Sequence, residues 1–150
     1  MTAVALQALL ADAGQSGAFF VADSDSEAMA QAGAALEYEV VRIDLRGCVD
    51  KDEALARFAR ALGFPGWFGG NWDAFSDSLR DLSWLPAAGY LLLIEHAAAW
   101  RESEDARAGE DFDTALDILN EAASDWAERD VAFWALIPLP EDVLATLEAG

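Results

Sequence analysis

One cysteine, Cys48, and one histidine, His96, stand in a chain of 150 residues. A lone cysteine excludes an intrachain disulfide framework and fits a reducing compartment. A zinc site or a Cys–His nucleophile pair would need both residues together with carboxylates, and nothing in their spacing sets up either. A buried thiol and a histidine at a strand end are the plainer readings. Basic residues are also scarce, 9 Lys and Arg against 28 Asp and Glu, for a net charge of -19. Such a surface repels phosphates and anionic lipid, which argues against a nucleic-acid binder or a membrane-surface protein. No apolar run approaches the roughly 18 residues of a membrane span. The opening MTAVALQALLADAGQSG has none of the basic residues of a secretory leader. These features predict a cytoplasmic protein.

What is abundant is apolar and aromatic. At 54% hydrophobic, with 6 Trp, 8 Phe and 2 Tyr, the chain can bury a full core and is no disordered acidic tail. Its length suits a single domain, and no repeat, low-complexity tract or linker divides it. Val4, Leu6, Leu9 and Leu10 have loose helical spacing, and Gly17 to Ala22 reads as a short strand. Ser24 to Leu36, rich in Ala, predicts a second helix, and Tyr38 to Leu45 alternates as a strand does, with the break near Glu37. Asp50 followed by Glu53 is a capping-box-like start. Leu55, Phe58, Ala59 and Leu62 then mark one face of a helix that Gly63 and Pro65 end. Tyr90 to Ile94 and Val131 to Ile137 are continuous apolar runs, expected of strands covered on both faces. The alternation predicts a two- or three-layer α/β domain with a mainly parallel sheet, closed by a short helix over residues 138–150.

The most unusual stretch runs from Gly63 to Asp81, where a glycine-rich loop bearing Trp67 and Phe68 enters a helix with Asn71 as N-cap. In that helix Trp72, Phe75, Leu79 and Leu82 fall at helical spacing and are expected to bury. Asp73, Asp77 and Asp81 repeat every fourth residue on another face. Like charges at that spacing repel by a few tenths of a kcal/mol, roughly, per pair, so helix stability alone does not account for the ladder. A helix from Asp111 repeats the pattern, with Phe112, Leu116, Leu119, Ala123 and Trp126 on one side and Asp113, Asp117, Glu121 and Asp125 on another. Both stripes can be read as ordinary solvated faces. Trp67 and Phe68 either fold back onto the core or stand out as anchors for a partner.

The run Phe64-Pro-Gly-Trp-Phe-Gly-Gly-Asn-Trp-Asp-Ala-Phe-Ser-Asp-Ser-Leu79 resembles the barstar family of intracellular ribonuclease inhibitors. The family pattern is a Pro, an aromatic pair, Gly, Asn, then Asp-Ala and a second Asp one turn later. The resemblance covers about residues 39–137, leaving residues 1–38 as an N-terminal extension and 138–150 as a C-terminal helix. It implies a barstar-like α/β fold: a mainly parallel three-stranded sheet packed by helices, to which the extension can add a helix and a strand. It further implies that loop and helix plug the active site of a barnase-like, basic ribonuclease in a 1:1 complex. Trp67 and Phe68 would be the loop aromatics, Gly69 and Asn71 would hold the loop's shape, and Ala74 lies between the two inhibitory aspartates, Asp73 and Asp77. Glu121 would be the outlying acid on a later helix. The chain departs from the family pattern at Ser76 and Leu82, where the family has aromatics, and at Trp72, which implies an altered contact surface.

That scheme is physically coherent, because a ribonuclease site is lined by cations and a displayed aspartate gains charge-assisted hydrogen bonds there. A binding module for a basic partner that is not a nuclease is a second reading, and a hydrolase using paired carboxylates a distant third. The glycines at 63, 66, 69 and 70 follow a helix rather than a strand and lack the Lys-Ser/Thr of a phosphate loop. Asp23-Ser-Asp-Ser-Glu27 lacks the central glycine and the last ligand of a calcium loop. No metal or cofactor is expected, and no catalytic residues.

Overall fold

A computed structural model describes residues 2–65, 70–103 and 107–149. In order along the chain these form α1 (Ala3–Ala11), β1 (Ala18–Ala22), α2 (Ser26–Ala35), β2 (Glu39–Asp44), α3 (Lys51–Leu62), α4 (Trp72–Asp81), β3 (Gly89–Glu95), α5 (Ala98–Arg101), α6 (Ala108–Glu128), β4 (Ala132–Leu139) and α7 (Glu141–Ala149). The four strands make one sheet in the order β1-β4-β3-β2, and all three pairings are parallel. The two continuous apolar runs are its central strands. Nearly every residue of β3 and β4 is buried, while edge strand β1 is mostly half-buried and edge strand β2 mixes buried, half-buried and exposed residues. This follows from the connections: a parallel strand needs a crossover, crossovers place helices on the faces, and central strands are then covered twice.

Two cores separate the faces. On one, Tyr90, Leu92, Ile94, Phe133, Ala135 and Ile137 pack under α3, α4 and α6. On the other, Leu91, Leu93, Trp134 and Leu136 pack under Leu6 and Leu10 of α1 and Ala30 and Ala32 of α2. Successive strand side chains point to opposite faces, so these alternating sets of β3 and β4 residues require helices on both sides. Of the two architectures left open by the sequence, the three-layer one forms. The extension supplies the fourth strand and two helices, and those helices are the entire second layer.

Boundaries fall where local chemistry puts them. Asp50 caps α3 by accepting from the Glu53 amide at 2.9 Å. The reciprocal half of the capping box does not form, because the Glu53 carboxylate takes Arg57 at 2.9 Å instead. Gly63, at φ 68°, ends α3 in the left-handed region that a residue without Cβ enters most easily. Glu37, the expected break, takes the same region at φ 63°. Two differences from the sequence reading concern the later elements. Ala98–Arg101 forms a short helix carrying the buried Trp100, whose ring meets Phe112 edge-on at 5.4 Å. β4 runs on through Pro138 to Leu139, paired with the extension's β1, so the terminal helix starts only at Glu141.

Gly89 is fixed by close approach, since a Cβ there would lie 2.5 Å from the Tyr38 ring. That ring is held by its hydroxyl, which donates to the Leu10 carbonyl at 2.9 Å. Gly89→Ala is therefore expected to destabilise by about 1–3 kcal/mol, the range for overpacking a filled site. Thermal unfolding should show a fall in Tm of several degrees.

Candidate functional site

The site is built on α4 and its clamp. Asn71 accepts from the Ala74 amide at 2.7 Å, as an N-cap should, and Asp73 occupies the first turn, where a carboxylate meets the positive helix end. Before it, Gly70 takes φ 70°, a conformation that favours glycine and turns the incoming loop into the helix. Phe75, Ser78 and Leu79 are buried, with the Phe75 ring 5.0 Å from Phe58 of α3. The carboxylates Asp73, Asp77 and Asp81 are displayed on the opposite face. The apolar stripe thus fixes which way the ladder points.

The C-terminal end of α4 is held by α6. Trp126, whose ring lies 5.1 Å from Tyr90, donates its indole N–H to the Leu79 carbonyl at 2.8 Å. Arg129 donates to the Arg80 carbonyl at 2.8 Å, lies 3.7 Å over the Trp126 ring, and pairs with Asp125 at 2.7 Å. Carbonyls left open at the end of α4 are in this way satisfied by side chains of α6. The same docking sets the second acidic stripe beside the first. Arg80, Asn120, Glu121, Ser124, Asp125 and Glu128 line a shallow depression of about 430 Å3 between the helices.

The predicted site residues separate into three groups. Asn71, Asp73, Ala74 and Asp77 come together on one helix and its cap, with Ala74 half-buried. Glu121 is exposed at the margin of the depression it shares with Arg80. Trp67, Phe68 and Gly69 lie outside the described residues. Asn120, next to Glu121 in sequence, is structural: its side-chain carbonyl accepts from the Ala18 amide at 2.8 Å and fastens β1 to α6.

Two features correct or extend the sequence reading. Leu82 is one of the positions where the family pattern implies an altered contact surface, yet it is 1% exposed, as helical spacing expects. The helix stops at Asp81, and Leu82, at φ 47°, turns its side chain into the core. Trp72 is half-buried, with its ring 6.0 Å from Phe75 and the Lys51 ammonium 5.8 Å over it. Of the three departures, Ser76 and Trp72 are both half-buried and keep part of their surface exposed. Sequence reasoning also passed over Arg80, whose guanidinium meets the Asp77 carboxylate at 2.9 Å within the ladder. The signal was present in the spacing, since an Arg three residues after an Asp on a helix shares its face.

Elsewhere the chemistry is quiet. Cys48 is fully buried, and burial pushes its thiol up from the usual cysteine range despite the opposing charge of Arg57. His96 follows the end of β3 as expected and receives a hydrogen bond from Arg46 at Nε2, 3.0 Å away. The Asp23–Asp25 stretch is a single helical turn leading into α2, with the Ser24 hydroxyl donating to Glu141 at 2.8 Å. Among the described residues, no helix is long and apolar enough to cross a membrane, and no three His, Cys, Asp or Glu side chains gather as a metal site.

Residues 38–138 match the family model described as Barstar (barnase inhibitor). The chain belongs to the barstar family. The match takes in β2 to β4 with α3, α4, α5 and α6 between them, and so includes Asn71, Asp73, Asp77 and Glu121. It begins after α2, so the second helical layer and β1 lie outside it. A search of curated proteins gave no match.

Proposed function

We infer that this barstar-family chain is a protein inhibitor that occludes the cationic active site of a barnase-like ribonuclease with loop 66–71 and helix α4. Asp73 and Asp77 stand where substrate phosphates would lie, Asp77 deeper than Asp73. Trp67 and Phe68 seat the loop, Gly69 and Asn71 hold its shape, and Ala74 lets the partner's backbone approach between the acids. Glu121 engages a cation at the margin. The observation that carries the reading is the presentation of Asp73 and Asp77 on the outer face of a helix whose ends are both tied down, by Asn71 and by Trp126 with Arg129. A pre-positioned carboxylate loses little freedom on binding, so its charge-assisted hydrogen bonds count nearly in full.

The complex is 1:1, needs neither metal nor cofactor, and engages no nucleic acid or membrane. The protein performs no catalysis, and it acts in the cytoplasm as an immunity protein, the compartment where a secreted nuclease is dangerous to its producer. Residues 1–38, 39–137 and 138–150 work as a single domain, a reading supported by the pairing of β1 with β4.

The test is a titration of ribonuclease activity against barnase and against basic ribonucleases at increasing salt. Inhibition with a stoichiometry near one is expected. Its association rate should fall as ionic strength rises, because steering between opposite charges is screened within about 8 Å at physiological salt. Salt-insensitive association, or capture only of basic proteins without nuclease activity, would move the assignment to another partner.

A further inference from the structure

Among the 9 basic residues of a chain carrying 28 acids, Arg80 is the one built into the acidic ladder of α4. Its guanidinium pairs with Asp77 at 2.9 Å, three residues back on the same face. In the free protein, the aspartate expected to matter most thus already holds a cation. The pair is open to solvent, the side chains being 45% and 67% exposed, so it contributes little to stability and breaks readily.

The backbone of Arg80 is fixed, because its carbonyl accepts from Arg129 at 2.8 Å. Besides Asp77 the side chain is held only by a long 3.4 Å hydrogen bond from its Nε to the Ser76 carbonyl, and it has a second place to go. Arg80 borders the depression that Glu121, Asp125 and Glu128 also line. Asp125 is taken by Arg129 at 2.7 Å, whereas Glu121 and Glu128 pair with no cation among the described residues. A guanidinium leaving Asp77 therefore meets vacant carboxylates on the neighbouring helix.

The geometry points to Arg80 as a built-in competitor for Asp77: an incoming cation displaces it toward Glu128 of α6 and takes its place. The nature of that cation as a ribonuclease side chain rests on the inhibitor reading, but the competition itself does not. The consequence is a small threshold. Every cation that takes Asp77 gives up the modest free energy of the exposed Arg80 pair, so stray cations occupy the face less, while a dense cationic site with further contacts offsets the loss.

The experiment uses the full-length chain and two probes, barnase and a hexa-arginine peptide, with binding measured calorimetrically at low and physiological salt. Arg80→Gln is expected to tighten both by roughly two- to fivefold, the range of an exposed ion pair. Arg80→Lys should stay near wild type. In an Asp77→Asn background the gain from Arg80→Gln should shrink to the smaller effect of removing one positive charge, since the double-mutant cycle isolates the direct contact from that general term. An equal gain in that background, or weaker binding by Arg80→Gln, overturns the proposal. So does failure of the peptide to bind at low salt. If the peptide shows the full pattern while barnase binds no variant, the competition stands and the ribonuclease reading falls.

Discussion

Replacing Asp77 by alanine is expected to raise the dissociation constant for an inhibited ribonuclease by between about a hundredfold and several thousandfold. The figure comes from the cost of removing one member of a buried, hydrogen-bonded charge pair, roughly 3–5 kcal/mol, most of it the desolvation of the partner cation left behind. In the free protein the carboxylate is exposed and its partner Arg80 is half exposed, so the variant should fold as the parent does. Unchanged thermal unfolding together with lost inhibition is the expected combination. Glu121→Ala, removing an acid at the rim, should cost about tenfold or less and act chiefly on the association rate. If Asp77→Ala inhibits as well as the parent, α4 is not the inhibitory element, whatever the partner proves to be.

That expectation could be framed from the sequence because the features it needs are local. The apolar spacing of Phe75 and Leu79 determines which side of α4 is inward, and Asn71 determines where the helix starts. The continuous runs in β3 and β4 likewise identified the covered strands, since a strand buried on both faces has no polar positions to alternate with. What was hidden depends on docking between distant parts of the chain. That Arg129 holds the Arg80 carbonyl emerges only when α6 is placed beside α4, and Asn120 is an anchor only because β1 arrives 102 residues away in sequence. Leu82 drew two incompatible readings, burial from its helical spacing and the contact surface from the family pattern. It is buried because a left-handed turn ends the helix and redirects the side chain, and neither signal contains that turn. The whole second layer was legible as elements but not as a layer, because neither helix has contrasting faces: α1 is apolar nearly all round, and α2 does its covering with small residues such as Ala30 and Ala32.

That layer leads to the second large effect. A variant lacking residues 1–37 keeps the entire family match, yet it should not form a stable monomer. Deletion removes Leu6, Leu10, Ala30 and Ala32 and uncovers Leu91, Leu93, Trp134 and Leu136, which are each 3% exposed or less in the full chain. It also removes β1 from the edge of β4, leaving the ladder groups of residues 135–139 without a strand partner, and it strands the Trp134 indole N–H, which now donates to the Leu10 carbonyl at 2.9 Å. An apolar sheet face bordered by an open edge is a template for association. The expected outcome is an insoluble product, or a soluble one that binds hydrophobic dyes and has lost its near-ultraviolet circular dichroism. A point variant separates loss of packing from loss of the strand. Leu10→Ala leaves β1 paired and should cost about 2–5 kcal/mol, the usual range for emptying a filled core site. A cooperative, monomeric 38–150 fragment would show instead that the helical face alone sustains the fold, and that the extension is dispensable for stability.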